Sequence, residues 1–223
     1  MKTIAIIGAG PNLGLSLAQK FGMNNFQVAL VSRHQETLNP LKDELTEMGI
    51  ATRTYIADVR DNGALSTALK QISRDFGSID VVEFSPYAGP QDFRNVEEIQ
   101  IKDVHQQLEM TVFPAMTIVQ TVLPEMKQRG SGAILFNSGI SAVMPIPQLC
   151  NTGISTSGLR NYSQNLHNVL KNQGIYVGFL AVAAEIKRDT AGDPDLIAGE
   201  WFNLYNKHDQ FETIVPDLRA HAD

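Results

Sequence analysis

Gly8, Gly10 and Gly14 stand two and four residues apart, with Pro11, Asn12 and Leu13 between the last two. They follow the apolar run Thr3-Ile4-Ala5-Ile6-Ile7 and open a stretch of helical length. A glycine at the end of a buried strand permits a tight turn. Missing side chains let backbone N–H groups approach a pyrophosphate at the N-terminus of the helix that follows. The chemistry this spacing suggests is dinucleotide binding. The alternative is a turn kept only for close packing.

A second apolar run, Val28-Ala29-Leu30-Val31, ends in Ser32-Arg33. It lacks the carboxylate that would hold a ribose 2′-hydroxyl, and Arg33 stands where a guanidinium can pair with a 2′-phosphate. NADP(H) is therefore preferred over NAD(H), against the plainer reading of Arg33 as a solvated strand-end cation. Three further residues could do proton chemistry. Tyr87 and Ser138 fall at the C-terminal ends of apolar runs, beside the crevice where ligands of such sheets bind. Glu83 interrupts an otherwise apolar strand, where burial would raise its pKa. The alternative for all three is a polar strand end satisfied by neighbouring backbone. The five histidines have no metal-ligand spacing and Cys150 has no Cys or His partner nearby in sequence, so no metal is expected.

The elements that must position these residues alternate. Candidate strands are Thr3–Gly8, Gln27–Ser32, Ala51–Ala57, Ile79–Ser85, Gly132–Ser138 and Ile175–Val182, with a last short one at Phe211–Val215 ended by Pro216. Helix-length stretches are Asn12–Met23, Glu36–Met48, Asn62–Phe76, Lys102–Gln128 and Asn151–Asn172. Gly49, Gly77, Gly130 and Gly174 are placed to cap them. Asp193-Pro194 reads as the start of one more helix, with Ile197, Trp201, Leu204 and Tyr205 on one face as core or oligomer contact. Repeated strand–helix–strand units predict an α/β fold: a Rossmann-type doubly wound parallel sheet of about seven strands, helices on both faces, in a single domain over 1–223.

Gly8-x-x-x-Asn12-Leu13-Gly14 resembles the Gly-x-x-x-Gly-x-Gly turn of the short-chain dehydrogenase/reductase family. Asn12 replaces the middle glycine, and asparagine tolerates a positive φ best after glycine, so the turn is expected to survive. The resemblance implies that Ala57-Asp58-Val59 contacts adenine; the competing role for Asp58 is to cap the next helix. It aligns Phe84-Ser85-Pro86-Tyr87 with the family's Asn-Asn-Ala-Gly, making Ser85 a cofactor contact, with Ala88-Gly89 displaced. Ala184-Glu185 takes the place of a Pro-Gly pair. It also marks an absence. The catalytic Ser falls on Gly139, the Tyr on Thr152, the Lys on Thr156 and the Asn on Thr111. None of the five tyrosines (Tyr55, Tyr87, Tyr162, Tyr176, Tyr205) has Lys four residues later, so no other register restores the set. A threonine with no cation beside it is a poor acid or base near neutral pH. No catalytic residue is assigned.

With 223 residues, the chain can bury a core without staples. One cysteine points to a reducing compartment, and the short N-terminal apolar run points to a soluble, cytoplasmic protein. A net charge of −6 without a basic run argues against nucleic-acid or anionic-membrane partners. The small residues from Thr152 to Gly158 allow close helix approach, and by resemblance this helix pairs across a dimer axis, implying a homodimer or homotetramer. Three functions stay open. One is an NADP(H)-dependent oxidoreductase on a carbonyl/alcohol pair with a non-standard proton donor. Another is a catalytically weak or inactive dinucleotide-binding sensor or scaffold. The last is a fold kept for assembly, with cofactor binding lost. The substrate is not legible: the connection Glu185–Gly192 is short for a lid and suggests an open pocket.

Overall fold

Apolar runs covered on both faces become central parallel strands. In the computed structural model, which describes residues 1–87 and 89–218, these are β1 (Lys2–Ile7), β2 (Phe26–Ser32), β4 (Val81–Phe84), β5 (Gly132–Gly139) and β6 (Ile175–Val182). β3 (Thr52–Ile56) and β7 (Glu212–Val215) form the edges. All seven pair in parallel in the order β3-β2-β1-β4-β5-β6-β7. Ile6 lies between Leu30 on β2 and Glu83 on β4 in this register. The chain turns back between β1 and β4, so their C-terminal ends border the crevice that such a reversal creates.

Helices cover both faces. α1 (Leu13–Gly22), α2 (Gln35–Glu47) and α7 (Pro194–Lys207) pack Leu17, Phe21, Leu38, Leu45 and the fully buried Trp201 on one side. α3 (Asn62–Phe76), α5 (Val112–Arg129) and α6 (Cys150–Leu170) pack Leu69, Ile72, Ile118 and Leu159 on the other. Each fully buried side chain of this size contributes roughly 1.5–3 kcal/mol of transfer free energy. The α7 start is as expected: the Asp193 carboxylate accepts from the Asp195 N–H and Pro194 occupies the first turn. The four capping glycines, Gly49, Gly77, Gly130 and Gly174, all sit at positive φ.

One expectation fails. Lys102–Gln128 is not a single helix: it divides into α4 (Ile101–Met110) and α5, with Thr111 between them at φ −123° and ψ −67°. Pro114 is the cause. It has no N–H for the Met110 carbonyl, and its ring would strike that carbonyl in a continuous helix. In the first turn of α5 the missing N–H is harmless.

Candidate functional site

The glycine turn is built by exclusion. Gly8 has φ +92°, and a Cβ there would lie 2.8 Å from Pro86 Cα and 3.1 Å from the Ser85 carbonyl carbon. Gly8 and Ala9 N–H groups both donate to the Val31 carbonyl, at 3.0 and 2.9 Å, which ties the turn to β2. Gly14 is as constrained, with a Cβ falling 2.9 Å from Ala9 Cα. Gly10 differs: a Cβ there meets nothing within 4 Å, so this glycine faces open space. Leu13 is buried and anchors the start of α1. Asn12 does not take the left-handed conformation expected of it; its φ is −94°. Gly8 has already made the reversal, so no second positive φ is needed.

Arg33 lies just beyond Ser32, the last residue of β2, whose carbonyl accepts from Ala57 N–H at 3.0 Å. It lines a cavity of about 200 Å³ together with Arg60, Asp92, Gln107, Glu109 and Met110. Next to this cavity Asp58 is held by Arg60, through Nε to Oδ1 at 3.2 Å and Nη2 to Oδ2 at 2.8 Å. The Arg60 guanidinium, with a smaller contribution from Arg33, keeps the Asp58 carboxyl below the usual carboxylate range. Asp58 does not cap α3. That role belongs to Asp61, which accepts from the Ala64 N–H at 2.9 Å. Val59 is buried in the core. Ser85 sits against the glycine turn, its N–H donating to the Ile7 carbonyl at 3.0 Å.

The opposite half of the crevice has hydroxyls that serve the backbone. Thr156 Oγ1 donates to the Thr152 carbonyl at 2.7 Å, and Thr111 Oγ1 donates to the Gln107 carbonyl at 2.6 Å. Thr152 Oγ1 is buried without a partner, and the nearest atom to a Cβ at Gly139 is Ser141 Oγ at 4.0 Å. Nor are the candidate substitutes assembled. Tyr87 is 69% exposed and meets Phe93 edge-on, their ring centroids 6.4 Å apart. Glu83 is fully buried, its Oε2 accepting from Ser85 Oγ at 3.0 Å and its Oε1 unpartnered. Desolvation pushes its pKa up to about 8. Its register neighbours Ile6 and Leu135 belong to the α1/α7 layer. Ser138, also unpartnered, shares its face of β5 with Phe136 and Ile134, two and four residues before it, which belong to the other layer. The two groups therefore point to opposite sides of the sheet.

Two residues outside the sequence-based expectation shape the crevice. Arg60 is one. Asn151 is the other: it is buried, accepts from Arg94 N–H at 2.9 Å and donates to the Asp92 carbonyl at 2.8 Å, pinning one wall of the Arg33 cavity to α6. The segment after β6 is a closed turn, with Lys187 N–H donating to the Gly192 carbonyl at 3.2 Å and Arg188 paired with Asp195. A larger cavity, about 770 Å³, lies against the β7 edge beside Arg160, Glu212, Ile214 and Leu196, away from the glycine turn. Gly158 faces its own chain: a Cβ there would meet Val112 of α5 at 3.7 Å. Ala88 and His221 lie outside the described residues. Among the described residues, no cluster of three His, Cys, Asp or Glu could hold a metal, and no helix is long and apolar enough to cross a membrane.

Comparison with known proteins places this geometry. The chain is 25% identical over 175 residues to Very-long-chain 3-oxoacyl-CoA reductase of Anas platyrhynchos, covering 77% of this chain and 56% of that protein. It is 28% identical over 177 residues to Inactive hydroxysteroid dehydrogenase-like protein 1 of Rattus norvegicus, covering 77% and 52%. The chain thus spans little more than half the length of these relatives. A short-chain dehydrogenase structure from Rhodopseudomonas palustris superposes with a TM-score of 0.85 at 22% identity, over 96% of this chain and 97% of the other, a likeness of fold. Residues 2–187 match the short chain dehydrogenase family, and the chain belongs to that family.

Proposed function

We propose that this protein binds NADP(H) in the short-chain dehydrogenase manner and acts as a catalytically weak or inactive dinucleotide-binding sensor or scaffold. The observation that carries this reading is an asymmetry across one crevice. On the Gly8 side, glycines are required by contacts of 2.8–2.9 Å, Gly10 is left open, and Arg33 faces a cavity. On the Thr152 side, the hydroxyl of Thr156 is committed to the helix backbone and no lysine or tyrosine takes the family positions.

The cradle fits a dinucleotide. The open N-terminus of α1 would hold the pyrophosphate, Arg33 the 2′-phosphate, and Asp58, Val59 and Ser85 would line the adenine and ribose path. The bound nicotinamide would supply a hydride donor or acceptor. The positions that match the family's Tyr and Lys are Thr152 and Thr156 and supply no ready group to move the accompanying proton; losing a general acid–base typically removes about 10²–10⁴ in rate. The relative described as inactive supports this reading. The experiment is calorimetric titration with NADPH, NADP⁺, NADH and NAD⁺. Saturable NADPH binding tighter than NADH supports the assignment; no heat with any of the four refutes it.

A second reading is an oxidoreductase on a carbonyl/alcohol pair with a non-standard donor. It is favoured by the reductase relative and by the unpartnered oxygens of Ser138 and Glu83. Turnover that survives Thr152→Val and fails in Tyr87→Phe would establish it. The protein is also proposed to be a cytoplasmic homodimer or homotetramer, with Phe113, Met116 and Ile154 on α5 and α6 as partly exposed apolar contacts. Met116→Glu should then reduce the mass seen by sedimentation.

A further inference from the structure

Arg33 is not the only cation on the 200 Å³ cavity. Arg60, from the turn between β3 and α3, reaches the same space. The cavity is polarised. Arg33 and Arg60 stand at the strand-end side, while Asp92 and Glu109 come from the segment after β4 and from α4. A ligand that fits must place an anion on one wall and face hydrogen-bond acceptors on the other.

Arg60 is at present committed to Asp58, with its backbone N–H at 3.0 Å and Nε at 3.2 Å from Oδ1, and Nη2 at 2.8 Å from Oδ2. That pair is easily left. The Arg60 side chain is 48% exposed and that of Asp58 33%, and exposed pairs of this kind hold weakly in water. A phosphate carries close to two negative charges at neutral pH and offers three acceptor oxygens, so a single guanidinium leaves it half neutralised. Arginine engages such a group bidentately, more strongly than it holds an exposed carboxylate.

Resting on the proposed NADP(H) reading, we propose that Arg60 is a second phosphate ligand and a specificity-determining residue. It exchanges the Asp58 carboxylate for the 2′-phosphate of the adenosine ribose, beside Arg33. A nucleotide without that phosphate leaves Arg60 on Asp58 and gains nothing from it. Asp58 is thus the competitor that sets how much of Arg60 the phosphate can claim, and Asp92 and Glu109 disfavour an anion placed deeper in the cavity.

The test measures dissociation constants for NADPH, NADH, adenosine 2′,5′-bisphosphate and AMP on the wild-type chain and on Arg60→Gln, Arg60→Lys and Asp58→Asn. Arg60→Gln should weaken NADPH and the bisphosphate roughly tenfold or more, the scale of a lost charge-assisted bond, and leave NADH and AMP within about twofold. Arg60→Lys should fall between, and Asp58→Asn, which also touches the adenine path, should keep or raise the affinity for the bisphosphate relative to AMP by releasing Arg60. Thermal melting of each variant identifies one that has not folded, and Arg60→Lys retains the charge if Arg60→Gln is such a case. An unchanged NADPH-to-NADH ratio in both Arg60 variants overturns the role of Arg60 while leaving the cofactor assignment standing. Absence of binding to the wild-type chain overturns both.

Discussion

Thr156 Oγ1 donates to the carbonyl of Thr152 at 2.7 Å, one helical turn away. By the resemblance these two positions correspond to the family's Lys and Tyr; here the Thr156 hydroxyl is spent on the backbone and the buried Thr152 hydroxyl has no partner among the described residues. Thr156 is 5% exposed and its hydroxyl is spent on that backbone bond, so it stays an ordinary alcohol. Replacing either hydroxyl by a methyl group should therefore change little. Thr156→Val and Thr152→Val are expected to bind NADPH as the wild-type chain does, by titration, and to remain within about 1 kcal/mol in stability. A large loss of binding in either would show that these hydroxyls hold ligand.

Gly8 and Gly10 separate folding from binding. Gly8→Ala forces a Cβ against Pro86 at φ +92°, a backbone region and a contact that both exact strain of about 1–3 kcal/mol. It should lower the melting temperature and abolish nucleotide binding together. Gly10→Ala meets nothing within 4 Å and should melt like the wild-type chain, yet weaken NADPH because the new methyl group stands in the open cradle. Equal melting and equal affinity in Gly10→Ala would place the nucleotide elsewhere.

Arg33 lines the same cavity as Arg60, and the proposed preference for NADP(H) rests on it. Arg33→Ala should weaken NADPH roughly tenfold or more, from a charge-assisted bond of about 1.5–3 kcal/mol, and NADH much less. Fluorescence titration of both nucleotides checks this. An equal loss for the two would reduce Arg33 to a general attraction for anions.

Glu83 gives a pH dependence of known sign. Its pKa rises from the ordinary 4.5 to about 8 because the carboxylate form is buried without a counter-charge. Between those values the folded chain binds more protons than the unfolded one, so stability falls with rising pH. The stabilising contribution is complete below the unfolded value and is lost as pH climbs through the folded one, with a slope approaching 1.4 kcal/mol per pH unit, to order of magnitude. Urea denaturation across this range should show the decline, and Glu83→Gln should remove it. The same slope in the variant would assign the effect to another group.

Much of this architecture is legible in the sequence because its causes are local. β1, β2 and β6 are apolar on both faces since helices cover both, and the capping glycines follow the helices they end. Gly8 could be read because its place after a buried strand requires a side-chain-free turn. What escaped was either a misjudged local signal or a distant contact. Pro114 marks the break at Thr111, but the apolar spacing around it reads as one helix. Asn12 was expected to supply a positive φ that Gly8 alone provides. Arg60 and Asn151 gain their roles only when the β3–α3 turn and the start of α6 meet the segment holding Asp92, more than thirty residues from either, a distance no spacing pattern spans. Glu83 was visible as a polar residue in an apolar strand, yet its separation from Ser138 depends on which face of the sheet each takes.

The most direct measurement is the loss of reduced-nicotinamide absorbance by the wild-type chain at saturating NADPH, with aldehydes, ketones and quinones offered in turn. Nucleotide binding to the same preparation is established first by titration. The expected result is saturable NADPH binding with consumption absent or barely above the rate without protein. Sustained, substrate-dependent consumption would contradict it, and would mean that a proton donor other than the four family positions operates in this crevice.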